Sequence, residues 1–132
     1  MQLTVTSDIA LRTLINLAQR DEPVTISTVA EECGVAKSSL MKVVMTLVSA
    51  NLVVSERGRN GGISLARDAS EITIGSVIRL MEKSLALVEC MKDTPSYCPL
   101  LPKCRLKVEL YAAQEAFFDR LDQTTLADLL EG

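Results

Sequence analysis

At 132 residues the chain has the length of one ordinary domain, and a hydrophobic content of 48% is enough to build one core. Its apolar residues fall in short periodic runs, without an unbroken stretch of about 20 and without a basic start followed by an apolar block, so a cytoplasmic chain with no membrane span and no signal peptide is expected. The formal net charge is -3 and histidine is absent, which excludes a Ser-His-Asp triad, a Cys-His pair and a Cys2His2 zinc site, and no enzymatic activity is expected.

In chain order, Leu11, Leu14, Ile15 and Ala18 recur at the spacing of one helix face. Ser7 is the expected cap, and Asp8 then falls in the first turn, where the helix dipole favours a carboxylate by about 0.3–1 kcal/mol. After the turn "DEPV", the run "TISTVAEECG" predicts a short helix capped at Thr25 or Ser27 and stopped at Gly34. A longer helix follows in "VAKSSLMKVVMTLVSANLV", with Leu40, Val44 and Leu47 on its buried side. Two helices around a tight turn are a helix-turn-helix candidate.

Two β-rich runs, Leu52–Ser55 and Ile63–Leu65, then flank a glycine-rich tip in which Asn60-Gly61 is a hairpin signal. A helix-turn-helix followed by such a hairpin reads as a winged helix, with its wing at about 52–66. Beyond a Thr73 cap, Ile74, Val77, Ile78 and Met81 share one face of a further helix. Past a proline-rich segment, Leu106, Leu110, Ala113, Phe117 and Leu121 recur at steps of three and four, with Tyr111 and Phe118 beside them. A helix of roughly 18 residues spans about 27 Å, longer than the winged domain needs for its own core, so this seam fits a helix-to-helix dimer contact. Thr125-x-x-Asp128 is a capping box for a short last helix.

The expected fold is therefore mainly α with a small β-hairpin: a winged helix-turn-helix over 1–83, a cysteine segment over 84–104, and a dimerisation helix with a short C-terminal helix over 104–132.

Residues 1–67 hold seven basic and six acidic residues, and residues 68–132 hold seven and eleven, so a DNA-binding face belongs in the first half. Lys37, Ser38, Ser39, Lys42 and Thr46 occupy the polar face of the second helix of the motif, with Thr28 on the first; Arg57, Arg59 and Asn60 stand on the wing. Such side chains reach phosphates and base edges when the helix enters the major groove, and arginines on a wing suit a narrow minor groove. Each residue alone reads equally well as part of a solvated face. The consecutive order of helix, turn, helix and basic hairpin is the more specific signal.

Of four cysteines, Cys33 stands alone, while Cys90, Cys98 and Cys104 follow a C-x7-C-x5-C spacing. In a reducing compartment they suggest metal, redox chemistry or burial rather than disulfides. Pro95, Pro99 and Pro102 oppose a buried helix or strand there, and so oppose burial of all three thiols. Structural zinc wants four Cys or His ligands and this segment offers three, with Cys33 a possible fourth or a packing residue. Iron-sulfur clusters are held chiefly by thiolates and accept a non-cysteine ligand at one iron, so three cysteines and a carboxylate are coherent. Lys103, Arg105 and Lys107 put positive charge beside the last cysteine, which suits thiolates in metal binding and in redox reactivity alike.

From "MQLT" and "ALR", through "GV" and "RGRNGG", to "CPLLPKCRLK" and "TLADLL", the chain resembles over essentially its whole length the iron-sulfur winged-helix repressors, a family that includes the NsrR, IscR and RirA branches. The resemblance implies a homodimer that binds double-stranded operator DNA and carries an iron-sulfur cluster, 4Fe-4S or alternatively 2Fe-2S. The implied metal ligands are Cys90, Cys98 and Cys104, with Asp8 supplied by the other subunit. The IscR branch uses a histidine, which this chain lacks. The RirA branch shares the wide cysteine spacing. Asp8 and the closing "CRLK" and "TLADL" runs favour the NsrR branch, which implies nitric oxide as the effector and release of DNA on nitrosylation. An iron-responsive repressor is the alternative, and a small redox protein is the reading from another class.

Overall fold

The computed structural model describes residues 1–58 and 61–131; Arg59 and Asn60, both expected on the wing, lie outside the described residues, as does Gly132. The first helix, α1, runs Val5–Ala18 and buries Ile9, Ala10, Thr13, Leu14 and Leu17. Leu11, Ile15 and Ala18, expected with Leu14 on the inner face, instead flank the core as partly buried residues. The cap also differs from expectation. Thr4 is the N-cap, its Oγ1 accepting the Ser7 N–H at 3.3 Å, and Ser7 lies buried within the first turn. Two hydroxyls three residues apart compete for one capping role, and Ser7 is drawn off by a distant acceptor, Glu82.

Helix α2 (Ile26–Cys33) starts at Thr25, whose Oγ1 accepts the Thr28 N–H at 3.2 Å, and stops at Gly34, which adopts the left-handed conformation, φ 69°. Helix α3 (Lys37–Ser49) buries Leu40, Val43, Val44 and Leu47 and packs on α1 and α2. Strands β1 (Val53–Glu56) and β2 (Gly62–Leu65) pair antiparallel, with Val53 opposite Leu65 and Glu56 opposite Gly62. A further bridge between Val24 and Ile63 ties the hairpin to the entry of α2. Gly62 has φ 145°, and a Cβ there would stand 2.4 Å from the Val24 carbonyl oxygen, so this approach admits only glycine.

Thr73 caps α4 (Ile74–Met81), which buries Ile74, Val77, Ile78 and Met81 as the periodicity predicts. Between Glu82 and Cys104 the only helical piece among the described residues is a 3-10 turn at Glu89–Met91. Helix α5 spans Arg105–Asp122 and α6 spans Leu126–Leu130; both halves of the Thr125–Asp128 capping box are made. Helix α6 returns to α1 and buries Leu126 completely, so the C-terminus completes the core of the winged helix. Arg79 of α4 pairs with Asp122 at 2.6 Å and lays its guanidinium 4.2 Å from the centre of the Phe118 ring. Among the described residues, no helix is long and apolar enough to cross a membrane.

Candidate nucleic-acid interface and cysteine segment

The core residues of α3 occupy one side of the helix, which leaves Lys37, Ser38, Ser39, Lys42 and Thr46 all exposed on the other. Helix α3 contains no acidic residue, and its N-cap, Ala36, makes no side-chain cap. Its first N–H groups are therefore not satisfied by a side chain and can meet an anion such as a phosphate. Thr28 is half-buried, and its hydroxyl is hydrogen-bonded to that of Thr25 at 2.9 Å. Arg57 is exposed just past β1. Exposed between the polar positions of α3 stand Met41 and Met45, two apolar side chains that lie off the core-facing spacing of the helix.

All four cysteines are free and half-buried. Cys33 packs on the core; burial pushes its thiol above its ordinary value, against the opposing charge of Arg12, which marks it as a neutral packing group. Cys90 sits in the 3-10 turn, Cys98 in irregular chain and Cys104 at the N-cap of α5. Among the described residues of one chain, no three Cys, Asp or Glu side chains gather where a metal could be held. The thiols are thus distributed along one segment. The segment itself is pinned at several points: Gln114 of α5 donates to the Leu85 carbonyl, Lys92 pairs with Glu89 at 2.7 Å, and Ser96 donates to Glu89 at 3.0 Å. As a donor set, three accessible thiols with a carboxylate elsewhere suit an iron-sulfur cluster better than structural zinc, since histidine is absent.

Two links that the sequence did not disclose connect this segment and Asp8 to the DNA-binding unit. Asp8, half-exposed in the first turn of α1, accepts from Arg12 Nε at 3.0 Å and Nη2 at 2.9 Å. The remaining nitrogen of Arg12, Nη1, donates to the Cys33 carbonyl at 3.2 Å, where α2 enters its turn toward α3. An acid and an arginine four residues apart were a legible signal for the first half of this link; the second is a long-range contact. Glu82, which closes α4 just ahead of the cysteine segment, accepts from the Ser7 hydroxyl at 2.5 Å, the Thr4 N–H at 3.2 Å and the Thr4 hydroxyl. Burial works to raise its pKa, but these donations outweigh it and hold the carboxyl below its ordinary value. The segment is thereby rooted on the same helical turn that carries Asp8.

Of the expected dimer seam, Leu106, Leu110 and Ala113 lie outside the chain's own core, whereas Phe117 and Leu121 pack against it. Val108 and Tyr111 add to the exposed apolar surface of the helix's first half.

The sequence matches the Rrf2 family, described as "Iron-dependent Transcriptional regulator", over residues 3–132. It is 44% identical to the HTH-type transcriptional regulator NsrR of Geobacillus kaustophilus, covering 99% of this chain and 90% of that protein. Among solved structures, IscR of T. potens superposes with a TM-score of 0.81 at 27% identity, covering 99% of this chain and 87% of that one. The B. subtilis global cysteine regulator CymR superposes with a TM-score of 0.78 at 29% identity, covering 98% of this chain and 95% of that one. One fold thus serves regulators with different names, and the signal has to be argued from the site.

Proposed function

The chain belongs to the Rrf2 family of transcriptional regulators, and from that premise we propose that it is a homodimeric repressor whose iron-sulfur cluster senses nitric oxide. The carrying observation is the donor set: three free thiols on one segment, rooted through Glu82 on the turn of α1 that presents Asp8. The likeness to a regulator named NsrR agrees with the branch resemblance read from Asp8 and the closing "CRLK" and "TLADL" runs, and it is that resemblance which implies nitric oxide as the effector. Cys90, Cys98 and Cys104 would hold the cluster, with Asp8 reaching it from the other subunit. A cluster so held, with one weak oxygen ligand, would supply an iron open to attack by nitric oxide.

The chain's own residues then couple ligation to DNA. While Asp8 serves the partner's site, Arg12 keeps the Cys33 carbonyl and loses its bidentate carboxylate. Once Asp8 is released, Arg12 holds both, as in the present structure. Arg12 thus biases the α2–α3 turn differently in the two states, which is the differential contact that linkage requires. The first half of α5, with Leu106, Leu110 and Ala113, would clasp the second copy and fix the separation of the two α3 helices on an operator. In each subunit Lys37, Ser38, Ser39, Lys42 and Thr46 face the major groove and Arg57 a minor groove, with Arg59 and Asn60 assigned to the wing from sequence. Thr28 approaches the backbone from α2.

A second reading, an iron-availability repressor, is favoured by the family's description as iron-dependent. Mobility-shift assays without oxygen, on duplex DNA selected from a random pool, separate the two. The proposal expects substoichiometric nitric oxide to release DNA before iron chelation does. Release by the chelator with indifference to nitric oxide would replace it with the iron reading.

A further inference from the structure

Resting on the DNA-binding reading above, we infer that Met45, with Met41 beside it, is a specificity-determining residue that lays its thioether against the 5-methyl groups of thymines in the major groove. Met41, Met45 and Val48 follow at i, i+4 and i+7 on α3 and are exposed by 47%, 70% and 39%. At about 100° per residue, Met45 falls between Met41 and Lys42 and faces away from the buried Leu40, Val43 and Leu47. An exposed methionine alone is ordinary. Three apolar side chains in a contiguous ridge, on a helix with two exposed lysines and no acid, are a surface shaped for a partner that is anionic at its rim and apolar at its centre.

DNA offers that combination. Phosphates line both edges of the major groove, and the one apolar group on its floor is the thymine methyl. The polar side chains of α3 can read base-edge donors and acceptors, but none gives the larger apolar contact a methyl rewards. Methionine is long, unbranched and polarisable, so it can conform to a methyl without a fixed rotamer. Met45 therefore contributes preference for A·T pairs at particular operator positions, while Lys37 and Lys42 contribute affinity that is blind to sequence.

The test uses full-length protein and duplex DNA selected from a random pool, with thymine replaced by deoxyuridine one position at a time. Uracil keeps the pairing edge and lacks only the methyl. Wild-type binding is expected to weaken about four-fold for each methyl that Met45 covers. Met45→Ala should bind the parent sequence more weakly and be indifferent to deoxyuridine at those positions, and Met45→Leu should keep most of the sensitivity. Lys42→Ala should weaken binding to every duplex and retain the wild-type deoxyuridine pattern. If Met45→Ala retains that pattern, or if the wild type shows no deoxyuridine effect at any position, the inference fails while DNA binding stands. If the wild type enriches no sequence from the pool, the DNA-binding reading fails and carries the inference with it.

Discussion

Between Val5 and Met81 each of the helices α1 to α4 buries part of itself in one shared core, whereas from Glu82 to Phe117 no residue is buried at all. The first region is held by apolar packing and by caps whose partners are three residues away. Ahead of α5, the second is held by a few polar contacts at the surface. The contrast teaches where a signal can act: a segment without a core opens at little cost and takes its order from whatever it binds, while a packed unit moves as a piece. Glu82 is a joint between the two regions, through Ser7 and Thr4, and Arg12 carries the state of Asp8 on to the α2–α3 turn.

The contrast can be broken or sharpened by substitution. Leu47→Ala removes a completely buried side chain of α3 and is expected to cost about 2–5 kcal/mol in chemical denaturation. Gly75→Ala comes next. A Cβ at Gly75 would stand 2.0 Å from Asp122 Oδ1, so the Arg79–Asp122 pair that joins α4 to the end of α5 must shift, with an expected cost of about 1–3 kcal/mol in the same measurement.

Glu82→Gln tests a joint. The carboxyl is held below its ordinary value of 4.5 by Ser7 and Thr4 against the effect of burial. Its contribution is therefore complete above that value and is lost as pH falls through the lower folded value. Replacement should cost about 1–2 kcal/mol near neutral pH, and denaturation curves between pH 5 and about 2 should flatten relative to wild type. An unchanged acid limb would mean that Glu82 does not root the segment. The smallest effect on folding is expected for Cys98→Ser, within about 0.5 kcal/mol, because the residue has no core around it. The same change is expected to abolish retention of iron and sulfide after anaerobic reconstitution, by colorimetric assay.

What was legible in the sequence follows the same division. The helices and the hairpin were readable because their signals are local: Thr25 and Thr73 as caps, Gly34 as a stop, and Ile74, Val77, Ile78 and Met81 on one face. Ser7 was misread as a cap because its true partner lies 75 residues away. The α5 seam was read as one surface because periodicity reports a face and not its occupant. In the structure, α4 takes Phe118 and the core takes Phe117 and Leu121, leaving only the first half free. Leu126, within a five-residue helix, is fully buried because α6 folds back on α1, which no local pattern reports. The cysteine spacing suggested the donor set proposed above, but the links of Asp8 and Glu82 to the DNA-binding unit required the fold.

The most direct test of the account is hydrogen exchange by mass spectrometry on protein reconstituted with iron and sulfide in the absence of oxygen, before and after nitric oxide. Residues 84–104 are expected to exchange slowly when loaded and quickly after nitric oxide, with the amides of α1 around Asp8 and Arg12 changing alongside them and those of the buried face of α3 unchanged. Equal exchange over 84–104 with and without iron and sulfide, or before and after nitric oxide, would contradict that expectation.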